Sequence, residues 1–177
     1  MTHRMLVAAA TVFAVMVTVG AGITLAQSRG TLVDADRKFV MEAAEGSQME
    51  VELGRLAQQK ASRDAVRQFG QRMATDHARA GQELARLAAD KGVELPGQES
   101  RQTQAEKDRL SKVSGAAFDR EYVKIMVQDH EKDVAAFRSQ SQQGSDPDVK
   151  AWAAKTLPTL EEHLKLIRQI EAQVVRK

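Results

Sequence analysis

Residues 66–87 read VRQFGQRMATDHARAGQELARL. Within them Val66, Phe69, Met73, His77, Ala80, Leu84 and Leu87 recur at three- and four-residue steps, so an α-helix gathers them on one face. Ser62 stands where an N-cap belongs, and Gly92 where a helix stops. The stretch therefore predicts a long amphipathic helix with a single buried stripe. No segment alternates at period two, and 5 Phe, 1 Tyr and 1 Trp leave little material for strands. The expected class is all-α.

The same period recurs on both sides. Upstream, Phe39, Ala43, Gly46, Glu50, Leu53 and Ala57 share a face of a helix that Asp34 or Asp36 can cap and that ends near Lys60. Downstream, a third helix is predicted over about 116–141, with Phe118, Tyr122, Met126, His130, Val134 and Phe137 on its stripe and Gly144 behind it. A fourth opens at Asp146-Pro147-Asp148, where Asp caps and Pro occupies the first helical position. Its stripe is Val149, Trp152, Thr156, Leu160, His163, Ile167, Ile170 and Val174, interrupted by Pro158, which is expected to kink it and release a carbonyl near Ala154.

Short links pair helices one with two and three with four as antiparallel hairpins. The connection from Gly92 to Gly115 is long, and Gln104 to Val113 within it reads as a short extra helix or an extension of the third. A long central connection is what a ferritin-like four-helix bundle needs to cross over, with up-down-up-down order the competing arrangement. Helices two and three also match each other: Phe69-x3-Met73-x2-Asp76-His77-x6-Leu84 aligns with Tyr122-x3-Met126-x2-Asp129-His130-x6-Phe137. That suggests two hairpins of common descent, or two helices serving one site.

Ahead of the bundle, His3 and Arg4 precede an uncharged apolar run that ends in Thr24-Leu25-Ala26. This is the order of a secretory signal, cleaved after Ala26, with an uncleaved membrane anchor as the alternative. Residues 27–33 read as a linker and 34–177 as one bundle domain. The expected location is periplasmic or secreted. Lys and Arg total 26 against 24 Asp and Glu, with the signs interleaved, which argues against a nucleic-acid partner. With 0 Cys, disulfides, thiolate metal sites and thiol catalysis are excluded.

Of 4 His, the three beyond the leader, His77, His130 and His163, all fall on apolar stripes of different helices. The first helix supplies Glu50 in the equivalent place. At ~1.5 Å per residue from the hairpin turns, all four lie near mid-helix and can meet in one layer. A buried carboxylate and neutral imidazoles both need partners, and a divalent metal serves them together. Glu50, His77, His130 and His163 are thus the expected ligands of zinc, copper, iron or manganese, with Asp76 and Asp129 orienting an imidazole from behind. Glu161 and Glu162 are weaker candidates, and Met49, Met73 and Met126 read first as packing.

Glu50-Val51-Glu52-Leu53-Gly54, Phe69 through Met73-Ala74-Thr75-Asp76-His77, Phe118-Asp119-Arg120-Glu121-Tyr122 through Asp129-His130, and Thr156-Leu157-Pro158-Thr159-Leu160 through His163-Leu164 resemble the exported bacterial ferritin-like proteins grouped as domain of unknown function 4142. The resemblance spans about 34–174 and implies a periplasmic or secreted ferritin-like bundle, with no activity attached. Di-iron ferritins carry Glu-x-x-His on two helices. Here Ala74, Val127 and Leu160 stand three residues before the histidines, so a two-iron oxidase is not expected.

The leading expectation is a metal-binding protein that buffers or senses metal or protects the envelope under stress. A redox enzyme acting on oxygen or peroxide at the same centre is the second. A structural envelope protein whose histidines form a polar network without metal is the third. Expected partners are a metal ion and further copies of the chain in a homo-oligomer. The membrane enters only through an uncleaved leader.

Overall fold

The helical period is realised across the residues that the computed structural model describes, 31–175. The expected signal segment 1–26, and the linker up to its last three residues, lie outside the described residues. The helices are α1 Asp34–Lys60, α2 Asp64–Asp90, α3 Arg101–Ser111, α4 Gly115–Gln143 and α5 Pro147–Val175. None is long and apolar enough to cross a membrane.

Two buried aspartates fix the topology. Asp119, in the first turn of α4, accepts from the backbone N–H of Ser62 (2.9 Å) and Arg63 (3.1 Å) and from the Ser62 hydroxyl. Asp36, in the first turn of α1, accepts from Gln140 Nε2 (2.6 Å) and from the backbone N–H of Asp146 (2.7 Å) and Ser145. Each aspartate thus holds the turn of the opposite hairpin. α4 starts beside the α1–α2 turn and ends beside the start of α1, so the order is up-down-down-up and the connection after α2 crosses the full length of the bundle. Packing follows: α1 lies against α2 and α4, and α5 against α4 and α2.

The expected caps are corrected by the same contacts. Neither Asp34 nor Asp36 caps α1, and Ser62 is a donor to Asp119 rather than the cap of α2. Long-range burial outcompetes the local bond each side chain could have made. Asp146 does cap α5, accepting from the N–H of Asp148 (3.0 Å) and Val149 (3.1 Å). Gly92 ends α2 with φ +66°, the left-handed value glycine tolerates. α3 is a separate helix inside the crossover, capped by Ser100 Oγ and lying against α1 and α4. α5 continues through Pro158, whose ring sits on the exposed side.

The core divides in two. One apolar cluster, toward the α1–α2 turn, contains Leu53, Phe69, Met73, Tyr122, Met126 and Ile167. The other, toward the α4–α5 turn, contains Phe39, Leu84, Phe137, Trp152 and Leu160, and Leu32 ahead of α1 joins it. α1 and α2 come closest at Gly54 and Gly70: a Cβ on Gly70 would stand 2.7 Å from both Ala57 Cβ and the Gly54 carbonyl oxygen. Between the two clusters lies a polar layer at mid-bundle.

Candidate metal centre

That layer holds four buried polar side chains, one from each long helix: Glu50 of α1, His77 of α2, His130 of α4 and His163 of α5. His130 and His163 have no exposed surface, and Glu50 and His77 expose 1% and 4%. The imidazole centroids form a nearly equilateral triangle, 5.8 Å for His77–His130, 5.5 Å for His77–His163 and 5.4 Å for His130–His163. One nitrogen of each ring lies within 4.8 Å of the others, and this is the group of potential ligands with metal spacing found among the described residues. Phe69 packs edge-on against His130 and His163 and floors the triangle.

The ring nitrogens divide into two sets. His163 Nε2 meets Asp76 Oδ2 at 2.9 Å, and His130 Nδ1 meets the Met126 carbonyl oxygen at 2.9 Å. His77 Nδ1 lies 2.7 Å from Glu50 Oε2, while Glu50 Oε1 lies 3.3 Å from His130 Nδ1; both carboxylate contacts are close but lack hydrogen-bond geometry. The other nitrogens, His77 Nε2, His130 Nε2 and His163 Nδ1, are buried without any hydrogen-bond partner. Three orphaned imidazole nitrogens in one layer are costly in a bare protein core.

Burial sets the protonation. It pushes His77 down to about 4 and lowers His130, against the opposing pull of Glu50 on the latter. It takes His163 to about 3, although the Asp76 hydrogen bond resists. All three imidazoles are therefore neutral near pH 7, the form that ligates metal. Burial raises Glu50 to about 7, offset by His130 and reinforced by Asp129. Asp76 is pushed up by burial, but its bonds to His163 and Arg72 outweigh this and leave it lowered.

Of the acids expected to support the histidines, Asp76 reaches His163 and also contacts Arg72 and Arg79, each at 3.4 Å. Asp129 does not hydrogen-bond an imidazole. Its Oδ1 lies 3.7 Å from Lys132 Nζ, and its Oδ2 is buried without a partner. Glu162 pairs with Arg72 and Glu161 with Arg138, both away from the rings. Met49, Met73 and Met126 lie in the apolar cluster.

Two groups went unread as site residues. Asp133, one turn beyond Asp129, joins Glu50 in lining a cavity of about 390 Å³ between α1 and α4, and a smaller one with His77. Its carboxyl is raised well above the usual range by burial and by Glu50. The spacing that relates Asp36 to Asp119 also relates Glu50 to Asp133, an equivalence that shows only once the two hairpins have docked. Tyr122, buried with an unpartnered hydroxyl, is likewise raised by burial and by the nearby Glu50.

The sequence matches, over residues 22–170, the family described as "Domain of unknown function (DUF4142)". No curated protein matches it in sequence. Among solved structures, a DUF305 fragment from Deinococcus radiodurans superposes with a TM-score of 0.69 at 15% identity, covering 84% of this chain and 100% of that one. A candidate secreted protein of the DUF305 family from Streptomyces coelicolor gives 0.66 at 16% identity, covering 79% and 93%. CopM in its Cu(II)-bound form gives 0.66 at 17% identity, covering 78% and 96%. At these identities the likeness is one of fold.

Proposed function

We propose that this chain, which belongs to the DUF4142 family, is an exported metal-binding protein whose ligands are His77, His130 and His163. The observation that carries the reading is the set of orphaned nitrogens, one from each ring, inside the buried mid-bundle layer. A metal ~2.0–2.1 Å from each nitrogen needs the three about 3–4 Å apart, a closure that small side-chain rotations supply. Glu50 stands behind His77 and His130, Asp76 behind His163 and the Met126 carbonyl behind His130, an arrangement that fixes ring orientation and raises donor strength. Glu50, expected from the sequence among the ligands, is assigned this supporting place and balances the charge of the bound ion.

Copper is the metal proposed. Three imidazoles suit copper, zinc and iron alike, but copper(II) heads the affinity order for nitrogen donors, and one structure of the same fold holds it. Export agrees with the leader-like start of the sequence and with the description of the Streptomyces coelicolor neighbour. Binding for buffering or sensing is the role assigned.

The test is metal content of the purified full chain beside His130→Ala, followed by titration with Cu(II), Zn(II) and Fe(II). One ion per chain, lost in the variant, is expected, with Cu(II) bound tightest. Sub-stoichiometric metal in both proteins, with thermal stability indifferent to every added ion, would falsify the reading.

A further inference from the structure

The orphaned Glu50 carboxylate has a second neighbour besides the imidazoles. It forms the buried floor of the cavity of about 390 Å³ between α1 and α4, whose mouth lies beside the start of α3. Asp129 and Asp133, one helical turn apart on α4, line that cavity, as do Glu42 and Glu45 of α1. The Asp129 Oδ2 atom is also buried and unpartnered. Against these acids the cavity offers one cationic side chain, Lys132, at 73% exposure. The space beside Gly46 is open, since a Cβ there would meet nothing within 4 Å.

The opposite side of the histidine layer differs. A cavity of about 300 Å³ between α2 and α5 is lined by Asp76 and Glu83 but also by Arg79 and Lys155. Lys155 pairs with Glu83 at 2.8 Å, so this face presents little net attraction to a cation.

We propose that the α1–α4 cavity is the loading port of the metal centre, in which a divalent cation is taken up by Asp129 and Asp133 and handed past Glu50 to the three histidines. This rests on the metal reading above. No three of these carboxylates converge at metal spacing among the described residues, which suits a transient stop. Hard oxygen donors bind copper(II) or zinc less tightly than the imidazoles beyond them, so the transfer runs downhill. At the mouth the exposed Glu42 and Glu45 outnumber Lys132, and this excess of carboxylate raises the local cation concentration.

The experiment is stopped-flow mixing of the metal-free full chain with aqueous Cu(II), following quenching of the single Trp, Trp152, which lines the small cavity together with His77. Asp129→Asn/Asp133→Asn is expected to lower the loading rate about tenfold, because it removes the two carboxylate donors that take up the ion. Gly46→Leu, which fills the open space and leaves every carboxylate in the chain, is expected to slow loading at every salt concentration. Glu83→Gln on the opposite face is expected to load at the wild-type rate. Wild-type rates in both port variants would overturn the port, as would equal slowing by Glu83→Gln. Should the double Asn variant fail to fold, Gly46→Leu and Lys132→Gln decide, the latter expected to load faster and an unchanged rate in both counting against the port. A wild-type chain that takes up no copper defeats the metal reading itself, whereas one that loads normally beside unaffected variants defeats only the port.

Discussion

At the level of single residues, the histidines and acids of the central layer titrate in opposite senses. His77 is lowered from 6.5 to about 4, so the folded state stays neutral while the unfolded chain gains a proton. Its contribution is complete above 6.5 and is lost as pH falls through 4, a swing on the order of 3 kcal/mol. His163 and His130 act in the same direction. Glu50, raised to about 7, contributes below 4.5 and loses that contribution as pH rises through 7; the raised Asp129 and Asp133 oppose the histidines likewise. The metal-free protein should therefore have a shallow overall pH profile, and His77→Gln should be less acid-sensitive than wild type by roughly that swing in urea melts at pH 7 and pH 4. Identical profiles would contradict the burial argument. Because Glu50 is about half protonated near neutrality, copper binding at pH 6.5 should release protons, and Glu50→Gln should weaken binding about 10–100-fold and reduce that release. The histidines and Glu50 were legible because each interrupts an apolar stripe with a group that must be satisfied. Asp133 was not, because a carboxylate three residues after a stripe position resembles any solvated acid until a second helix covers it.

Among the helices, the two crossed aspartates carry more than any local cap. Each accepts backbone N–H bonds from the other hairpin while buried, Asp36 at 1% exposure and Asp119 at 0%. Removing either leaves N–H groups without partners, so Asp36→Ala and Asp119→Ala should each cost about 2–4 kcal/mol. The sites lie at opposite ends of the bundle, and chemical denaturation of the double variant should show additive losses to within about 0.5 kcal/mol. Strong non-additivity would mean that the two turns are coupled through the core. Gly70→Ala should destabilise as well, despite alanine's better helix propensity, because the added Cβ meets the Gly54 carbonyl oxygen at 2.7 Å. Element boundaries were readable from stripe and glycine stop, including α2 ending at Gly92, and from a cap only at Asp146. The roles of Asp36, Ser62 and Asp119 were not, since their partners are remote in sequence and arise only when the hairpins dock. The match between α2 and α4 also takes on a definite meaning. Asp36 and Asp119 make α1 and α4 the equivalent helices of the two hairpins, whereas α2 and α4 run the same way and bring His77 and His130 into one layer.

Across the whole molecule, the crossover makes the central layer a junction between two separately closed hairpins. Its length announced a crossing, but the direction of α4 was decided only by the docking of Asp119 on the α1–α2 turn. Glu50 and His77 come from the first hairpin, His130 and His163 from the second. A metal held by all three histidines therefore adds a joint at mid-bundle between two bodies already linked by apolar packing, the Asp36 and Asp119 contacts at the two ends, and one crossover. Cutting the chain between the exposed Gly97 and Gln98 removes the covalent link and leaves every long helix intact. The fragments should still associate through the two apolar clusters and the Asp36 and Asp119 contacts, and copper should tighten them by its binding linkage. At free copper 100-fold above its Kd, that linkage is about 2.7 kcal/mol, or roughly 100-fold in fragment affinity. Titration of one fragment with the other, with and without Cu(II), measures this directly. His77→Ala in the first fragment should abolish the copper effect while leaving metal-free association nearly unchanged. If copper instead tightened the variant pair as much as the native pair, the ion would lie wholly within the second hairpin, and the layer could not act as the junction described.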